Sequence, residues 1–439
     1  MKQKISVGLI GLGTVGTGAL RILQENAELI RNRVGVPVEI TKIAVRDTKR
    51  DRGIAIAPGT LTNNPSHIID DPNIDIVAEL IGGYEPAKEL ILAAIAHGKH
   101  VVTANKALLA AYGAEIDQAA RRAGVTIGFE ASVGGGIPVI KALKEALAAN
   151  RILSIYGIIN GTSNYILTKM TEEERSFADV LLEAQRAGYA EADPSFDVGG
   201  IDTAHKLAIL VNLAFGAQVN LKDIYTEGIT SISPLDIDFG KVLGYKVKLL
   251  AIAKMHEGGK AEARVHPTMV PDEYPIAKVS GVYNAIQIVG NACEDIMLYG
   301  RGAGSMPTGS AVVADVMDIA RQILMEPSRK LPPTEGMDGV WPGLVQLQPI
   351  DSVTSLYYFR FMALDQPGVL AQISGILGRN RISIAQMIQR GRKEGGSVPL
   401  VIMTHTALER DIQKAIVEIK ALSSVTEDPI LIRVEGKEN

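Results

Sequence analysis

The sequence predicts an α/β protein: a doubly wound parallel sheet, then an α+β domain, then a smaller domain with βαββαβ order. Three observations indicate this arrangement. Strand-like and helix-like segments alternate over the first third of the chain, the alternation stops near residue 134, and a stretch rich in proline and glycine precedes the last segment. We therefore expect domains at 1–133, 134–330 and 353–439, with a linker at 331–352.

The composition is that of a folded protein without a strongly charged partner. A chain of 439 residues suits two or three domains at ~150 residues each. Hydrophobic residues make up 46% and charged residues 21%, which excludes a disordered chain. The formal net charge of −4 provides no basic surplus for nucleic acid or an anionic membrane. The apolar run at 207–217 is too short to span a bilayer, so we expect a cytoplasmic protein.

The single cysteine, Cys293, excludes an intramolecular disulfide and argues against a structural zinc site. An isolated cysteine is more often a small buried apolar group than a nucleophile, and we expect that role here.

The first domain is expected to alternate strands with helices. It begins with a strand at 4–10, where apolar residues are continuous, and a helix at 15–31, where they recur at helical spacing. Further strands are expected at 38–45, 75–81, 100–105 and 125–133, and further helices at 86–97 and 106–123. This alternation is typical of a Rossmann-type sheet.

The second domain shows a different order, in which several helices lead into a mixed sheet. Helices are expected at 138–149, 163–170, 176–188, 202–216 and 308–325, and strands at 153–160, 263–270, 284–290 and 295–300. This pattern predicts an α+β domain with helices on one face of a mixed sheet, and its last helix is expected to pack back onto the first domain.

The last domain has the order βαββαβ, with Asp365-Gln366-Pro367-Gly368 directly before its first helix. This combination resembles an ACT domain, a fold that generally binds a small effector, often an amino acid, between two copies. The resemblance implies a homodimer or homotetramer. The alternative is a ferredoxin-like module that serves only dimerisation.

The glycine motif between the first strand and the first helix predicts a dinucleotide site. Residues 11–16 read Gly-Leu-Gly-Thr-Val-Gly, so Thr14 and Val15 lie inside the motif. Gly11 permits a tight turn, Gly13 lets the backbone approach a pyrophosphate, and Gly16 allows close helix packing. A purely structural turn would match the same pattern.

The end of the second strand bears on the choice of dinucleotide. An NAD site usually has an acidic residue there, whereas this strand ends at Arg46 and Asp47 comes one position later. Arg46, helped by a basic residue at 49, 50 or 52, could hold a 2′-phosphate. We therefore expect NADP, with NAD as the alternative.

Two lysines are candidates for chemistry. Lys106 follows the strand at 100–105, where ligands of open α/β sheets collect, although it could equally be a solvated first-turn residue. Asp202 and Lys206 are four residues apart, so they share one face of a helix. A lysine beside carboxylates suits proton transfer, whereas the alternative is a helix cap and a surface ion pair.

A resemblance to one enzyme family becomes specific at residues 184–206. Their spacing, A-x3-G-Y-A-x2-D-P-x2-D-V-x-G-x-D-x3-K, is similar in full to the signature of homoserine dehydrogenases. The segments GLIGLGTVGTG, TANKALLA, ASVGGGIP, INGTSNYIL and GRGAGSMPTGSAVVAD also resemble that family. The likeness covers nearly the whole chain and is to the monofunctional form, without an aspartate kinase region.

The resemblance implies reversible reduction of L-aspartate 4-semialdehyde to L-homoserine, on the route to threonine, methionine and isoleucine. Lys206 is then the proton donor to the aldehyde oxygen, and Lys106 lies near the nicotinamide and the substrate. Glu191 and Asp202 hold the substrate amino group and hydroxyl side.

The resemblance also implies cofactor and cation contacts. Gly188 and Gly304 match positions close to the cofactor. A monovalent cation site, expected to hold sodium, is implied at Glu130, Val133, Gly135 and Ile137. Carbonyl oxygens and one carboxylate suit such an ion, whereas a flexible interdomain hinge is the alternative.

Two other functions are weighed against this one. A dehydrogenase of 2-hydroxy acids would need a His–carboxylate pair and an Arg, and no such set is apparent beside a βα loop. A non-catalytic sensor of NADP and amino acids would not need Lys106, Glu191, Asp202 and Lys206 together. We further expect threonine to bind near 365–385 and inhibit, and deletion of 352–439 to abolish that response while leaving catalysis.

Overall fold

The computed structural model describes residues 2–216, 219–325, 345–391 and 396–436. The chain divides into two compact units. The first unit contains Met1–Leu153, His205–Leu221 and Asn284–Val345, and the second contains Ser154–Ala204, Lys222–Tyr283 and Gln346–Asn439.

The strands of the described residues are β1 (Ile5–Ile10), β2 (Val38–Ala44), β3 (Leu61–Thr62), β4 (Ile76–Glu79), β5 (His100–Thr103), β6 (Ile127–Gly128), β7 (Ile152–Ile158), β8 (Tyr225–Thr226), β9 (Tyr245–Met255), β10 (Lys260–Pro271), β11 (Tyr283–Gly290), β12 (Glu294–Arg301), β13 (Gln346–Leu347), β14 (Thr354–Leu364), β15 (Ile384–Gln389), β16 (Ser397–Thr404), β17 (Ala407–Leu408) and β18 (Ile430–Val434).

The α-helices of the same residues are α1 (Thr14–Glu25), α2 (Ala27–Val34), α3 (Ser66–Ile69), α4 (Ala87–Ala96), α5 (Lys106–Ala123), α6 (Val139–Lys141), α7 (Gly161–Glu173), α8 (Phe177–Arg186), α9 (Ser195–Val198), α10 (Ile201–Phe215), α11 (Pro234–Val242), α12 (Ser305–Leu324), α13 (Val369–Arg379) and α14 (Glu409–Lys420). None of these helices has the length and apolar character that crossing a membrane requires.

The first unit contains a parallel sheet in the order β3-β2-β1-β4-β5-β6. Every residue of β1 is buried, as expected for a strand with helices on both faces of its sheet. One apolar cluster joins β1 to α1 and α12, and a second involves α4 and α5. The predicted doubly wound Rossmann-type sheet is confirmed.

Helix α12 approaches α1 very closely. A Cβ atom at Gly18 would lie 2.0 Å from the carbonyl oxygen of Ser305, and one at Gly309 would lie 2.7 Å from backbone atoms of Gly18. Only glycine fits at these two positions. Helix α12, from the C-terminal part of the first unit, therefore completes the apolar cluster that contains β1 and α1.

Two predicted segments of the first unit differ from the structure. The helix expected at 15–31 is interrupted at Asn26, whose N–H binds the carbonyl of Ile22 while its backbone leaves the helical region. The strand expected at 125–133 is wrong beyond β6, because the N–H of Glu130 donates to Asp315 at 2.8 Å and the chain turns into a 3-10 segment.

The helix expected at 138–149 is α6 followed by a π-helical segment, Ala142–Ala146. Within the linker expected at 331–352, residues 331–344 lie outside the described residues. The remainder contains β13 and a 3-10 turn at Ile350–Ser352.

The second unit contains strands in the order β7-β9-β10-β18-β14-β16-β15. The long antiparallel pair β9–β10 is its centre, and β18 adds to β10 in parallel, with Arg433 opposite Thr268. The segment β14-α13-β15-β16-α14-β18 confirms the predicted βαββαβ order. Its strands therefore continue the sheet that β9 and β10 begin.

Candidate active site

The loop between β1 and α1 requires glycine at its first position. Gly11 has a φ of +100°, and its N–H donates to the carbonyl of Ala44 at 2.9 Å. A Cβ atom there would lie 2.8 Å from the carbonyl oxygen of Leu80. The predicted tight turn is present.

The other two motif glycines have different surroundings. Gly13 caps the N-terminus of α1, and within the described residues no atom lies within 4 Å of a Cβ placed there. No side chain caps this helix, so the positive end of α1 has room for a phosphate. A Cβ at Gly16 would lie 2.4 Å from the carbonyl oxygen of Gly11, so Gly16 lets the helix pack closely.

The start of α12 lies beside this loop. Gly304 caps α12 with a φ of +124°, and the hydroxyl of Ser305 donates to the carbonyl of Thr14 at 2.7 Å. The structure therefore places Gly304 next to the residues predicted to bind the cofactor, which include Thr14 and the partly buried Val15.

A buried carboxylate that sequence reasoning missed organises the ends of β4 and β5. Glu79, fully buried, accepts hydrogen bonds from the N–H groups of Ile81 and Gly82 at 2.8 and 3.1 Å. Its other oxygen accepts from the hydroxyl of Thr103 at 2.7 Å. An acidic residue at the end of an otherwise apolar strand was the available signal.

Asn105 connects this network to Lys106. Its N–H donates to the Thr103 hydroxyl at 3.0 Å, its amide donates to the carbonyl of Gly83 at 2.7 Å, and its Oδ1 atom caps α5 at Leu108. Lys106, partly buried, is the first residue of α5. Its main chain is thus fixed by a chain of hydrogen bonds that begins at Glu79.

Two of the basic residues after β2 differ in their surroundings. Arg52 is committed to the loop itself, since it donates to the carbonyls of Asp47 and Arg50 at 2.7 and 2.8 Å. Arg46 is exposed two residues after the end of β2, at the same edge of the sheet as the glycine motif.

Glu130, only 2% exposed, anchors the start of α6. Its two carboxylate oxygens accept from the N–H groups of Ile140 and Lys141 at 2.9 and 2.8 Å. Burial raises the pKa of Glu130 above its ordinary value, and burial likewise raises the pKa of the adjoining Asp315 to about 7. Sequence reasoning did not foresee this anchoring role.

The glycine-rich segment after Glu130 is tightly folded rather than open. Gly135 has a φ of +57°, and a Cβ there would lie 2.5 Å from the carbonyl oxygen of Gly302. Ile137 donates its N–H to Gly134 at 2.9 Å. Within the described residues, the carbonyls of the buried Val133 and Gly135 accept no hydrogen bond, and no cluster of three His, Cys, Asp or Glu side chains could hold a metal.

In the second unit, Asn160 holds two carboxylates of the segment 191–202, which we call the acidic turn. Its amide donates to Oδ1 of Asp197 at 2.7 Å and to Oδ2 of Asp202 at 2.9 Å. Its own Oδ1 atom accepts from the N–H of Ser163 and so caps α7. Asn160 is another site residue that sequence reasoning missed, although an asparagine before a helix signals a cap.

Asp202 and Lys206 lie one turn apart on α10 and are 2% and 8% exposed. This burial excludes the alternative of a solvated surface pair. A charged lysine and a carboxylate are rarely buried unless they have a task or a partner.

Glu191, in the acidic turn, and Gly188, just before it, are more exposed than Asp202. Glu191 is exposed. Gly188, also exposed, has a φ of +76°, and the next residue, Tyr189, accepts at its carbonyl from the hydroxyl of Thr162 at 2.7 Å.

Comparison with known proteins matches this arrangement to one family. Residues 138–317 match the homoserine dehydrogenase domain, residues 11–130 match its NAD-binding domain, and residues 357–424 match the ACT domain. A homoserine dehydrogenase of Pseudomonas aeruginosa is 46% identical over 99% of both chains. The chain belongs to the homoserine dehydrogenase family.

Solved structures of the family agree with the fold. A homoserine dehydrogenase from Thiobacillus denitrificans is 48% identical, with a TM-score of 0.92 over 98% of both chains. A hyperthermophilic archaeal homoserine dehydrogenase in complex with NADPH is 26% identical, with a TM-score of 0.61 over 72% of this chain and 97% of that one. As a family member, the chain is an NAD(P)-dependent oxidoreductase with a C-terminal ACT domain.

Proposed function

We propose that the chain catalyses the reversible NAD(P)H-dependent reduction of L-aspartate 4-semialdehyde to L-homoserine, a step toward threonine, methionine and isoleucine. The observation that carries the proposal is the burial of Asp202 and Lys206 one turn apart on α10, with Asn160 bonded to Asp202. An ammonium-bearing aldehyde needs an anionic group and a proton donor, and this helix face provides both.

Most of the residues proposed to contact the cofactor belong to the first unit. The open space at Gly13 and the uncapped N-terminus of α1 suit its pyrophosphate, with Gly11, Thr14, Val15, Gly16 and Gly304 around it. When bound, the cofactor supplies the hydride that reduces the aldehyde carbon. Lys106 and Gly188 are its further contacts.

NADP is the preferred cofactor and NAD the alternative. Arg46 is exposed at the sheet edge, and its fork of N–H donors matches a 2′-phosphate, whereas Asp47 would suit the free hydroxyls of NAD. The archaeal relative in complex with NADPH is consistent with this preference.

Lys206 donates the proton to the aldehyde oxygen as it becomes an alkoxide, and Lys106 lies near the nicotinamide and the substrate. Glu191 and Asp202 hold the substrate amino group and hydroxyl side. Because Glu191 is exposed while Asp202 is buried, Asp202 provides the fixed half of this substrate site.

A monovalent cation, with sodium the expected ion, binds the carbonyls of Val133, Gly135 and Ile137 and the carboxylate of Glu130. The carbonyls of Val133 and Gly135 that accept no hydrogen bond within the described residues support this site, since hard cations prefer such oxygens. Each Glu130 oxygen still has a lone pair beside the N–H that it accepts.

The chain is organised as an NAD(P)-binding domain at 1–133, a substrate and dimerisation domain at 134–330, a linker at 331–352 and an ACT-type domain at 353–439. It works as a cytoplasmic homodimer or homotetramer. The ACT domain binds an amino-acid effector, threonine, near 365–385, and this binding inhibits the enzyme.

The proposal is tested by following the loss of NADPH absorbance with L-aspartate 4-semialdehyde, with and without threonine. Turnover with the semialdehyde, and none with a 2-hydroxy acid such as phosphoglycerate under NAD⁺, supports the reaction. No turnover with NADPH or NADH, in protein shown to bind the cofactor, would contradict it.

A further inference from the structure

A buried arginine of the C-terminal segment holds a carboxylate of the substrate domain. Arg433 on β18, only 1% exposed, donates to Glu409 on α14 and also to Oε2 of Glu227 at 2.9 Å. Tyr225 donates to the same oxygen at 2.9 Å, and the guanidinium lies 4.6 Å from the Tyr225 ring. The Glu227 carboxylate is therefore fixed by two donors.

The main chain of Glu227 is fixed as well. Glu227 directly follows β8, which pairs in parallel with β10, with Thr226 opposite Val265. The N–H of Glu227 donates to the carbonyl of Val265 at 2.8 Å. The side chain of Glu227 is thus bonded to β18, and its backbone is bonded to β10, which pairs with β18.

The residues around Glu227 lie directly against the acidic turn. The N–H of Ile229 donates to the carbonyl of Val198 at 2.9 Å. A Cβ at Gly228 would lie 2.3 Å from that same carbonyl oxygen, and one at Gly200 would lie 3.3 Å from the carbonyl oxygen of Glu227. The two backbones touch without intervening side chains, so a shift in one must move the other.

We infer that Glu227 is a positioning residue for the acidic turn, and that Arg433 gives the C-terminal segment a part in substrate binding. The inference rests on the proposed function, in which Asp202 at the end of that turn helps to hold the substrate amino group and hydroxyl side. Arg433 fixes Glu227, Glu227 fixes the backbone against Val198, and that backbone places Asp202. Small displacements of a binding carboxylate reduce affinity for the substrate it orients.

The test compares two acid-to-amide variants. Glu227→Gln weakens the contact with Arg433, whereas Asp236→Asn weakens the second buried junction to the C-terminal strands. There Arg360 binds Asp236 at 2.7 Å, and the other hydrogen-bond partners of Asp236 within the described residues, Tyr358 and Ser233, lie outside the acidic turn.

We expect Glu227→Gln to raise the KM for L-aspartate 4-semialdehyde by about 2- to 30-fold, the usual range for coupling through packed backbone. The kcat and the KM for NADPH stay within about twofold, because no cofactor contact changes. Asp236→Asn leaves all three constants within about twofold, although its Tm falls.

A wild-type KM in folded Glu227→Gln, or equal rises in both variants, would overturn the inference. The double variant Glu227→Gln/Arg433→Lys raises KM no further than Glu227→Gln alone if Arg433 acts through Glu227, and an additive rise would show that Arg433 acts independently of Glu227. Wild-type protein that fails to turn over the semialdehyde would instead overturn the proposed function, and this inference with it.

Discussion

Asn160 donates a hydrogen bond of 2.9 Å to Asp202 although the two residues are 42 positions apart in the sequence. Asn160 stands at the N-terminus of α7 and Asp202 in the first turn of α10, so this bond joins the starts of two helices. The same amide reaches Asp197 at 2.7 Å. One neutral side chain thus sets the distance between two carboxylates.

Replacing Asn160 with alanine should lower kcat/KM for the semialdehyde by about 10- to 100-fold, because a hydrogen bond to a charged group contributes ~1.5–3 kcal/mol. Steady-state kinetics measure the effect. Asn150→Ala is the matched control, since Asn150 also accepts from a backbone N–H, that of Cys293, but bonds to no carboxylate among the described residues. Equal losses in the two variants would show that Asn160 matters only for folding.

Lys206→Ala should lower kcat by roughly 10²–10⁴, which is the usual contribution of a general acid. The dissociation constant of NADPH, measured by calorimetry, should stay near the wild-type value because the glycine loop is unchanged. A variant that turns over at the wild-type rate would remove Lys206 from the mechanism.

The glycine motif predicts opposite effects at two of its positions. Gly13→Ala should keep wild-type stability, because the φ of −85° is ordinary and no described atom lies within 4 Å of the new Cβ, yet it should weaken NADPH binding at least about 10-fold. Gly16→Ala should lower the free energy of unfolding by about 1–3 kcal/mol, because its Cβ meets the Gly11 carbonyl. Calorimetry measures NADPH binding, and urea unfolding measures stability. Equal losses of stability in Gly13→Ala and Gly16→Ala would contradict the predicted difference.

Burial lowers the pKa of Lys248 to about 8, below its usual value of 10.5. Between these two values the unfolded chain binds more protons than the folded one, so stability should rise with pH from about 8 to about 10.5. Relative to Lys248→Met, the gain should total about 3 kcal/mol, at ~1.4 kcal/mol per pKa unit. Urea unfolding of both proteins across this range measures it, and parallel pH profiles would show that Lys248 is not responsible.

Deleting residues 352–439 should destabilise the rest of the chain rather than leave catalysis intact. Asp236 would lose Arg360, and Arg264, 1% exposed, would lose Glu435, its partner at 2.7 Å. Removing one member of a buried pair costs about 3–5 kcal/mol. Thermal unfolding of the truncated protein measures this loss of stability. A truncated protein that melts at the wild-type temperature would instead support the expectation from the sequence, in which the deletion leaves catalysis intact.

The sequence predicted the order of elements well because each depends on local patterns. The strand at 125–133 failed because its path is decided by Asp315, nearly two hundred residues later. Strand β9 escaped prediction because lysines interrupt its apolar pattern, and Lys248 is nevertheless 3% exposed, with its amine bonded to the carbonyl of Val279 at 2.6 Å.

The site was predictable where its residues share one helix or one motif. The spacing of Asp202 and Lys206 on α10, and the roles of Gly11 and Gly16, followed from periodicity and backbone geometry. Glu79 and Asn160 have local signals for a strand end and a helix cap, but their partners come from other elements and could not be assigned, because long-range hydrogen bonds leave no local pattern.

The contact between α1 and α12 has a consequence for how the chain folds during synthesis. Helix α1 leaves the ribosome early, but the glycine surface and apolar cluster that it shares with α12 are completed only after residue 305 has been made. The part of α1 that α12 covers stays exposed while the entire intervening chain emerges. Folding of the cofactor domain therefore depends on a segment that is synthesised late. Chains whose translation stops before α12 should remain bound to chaperones.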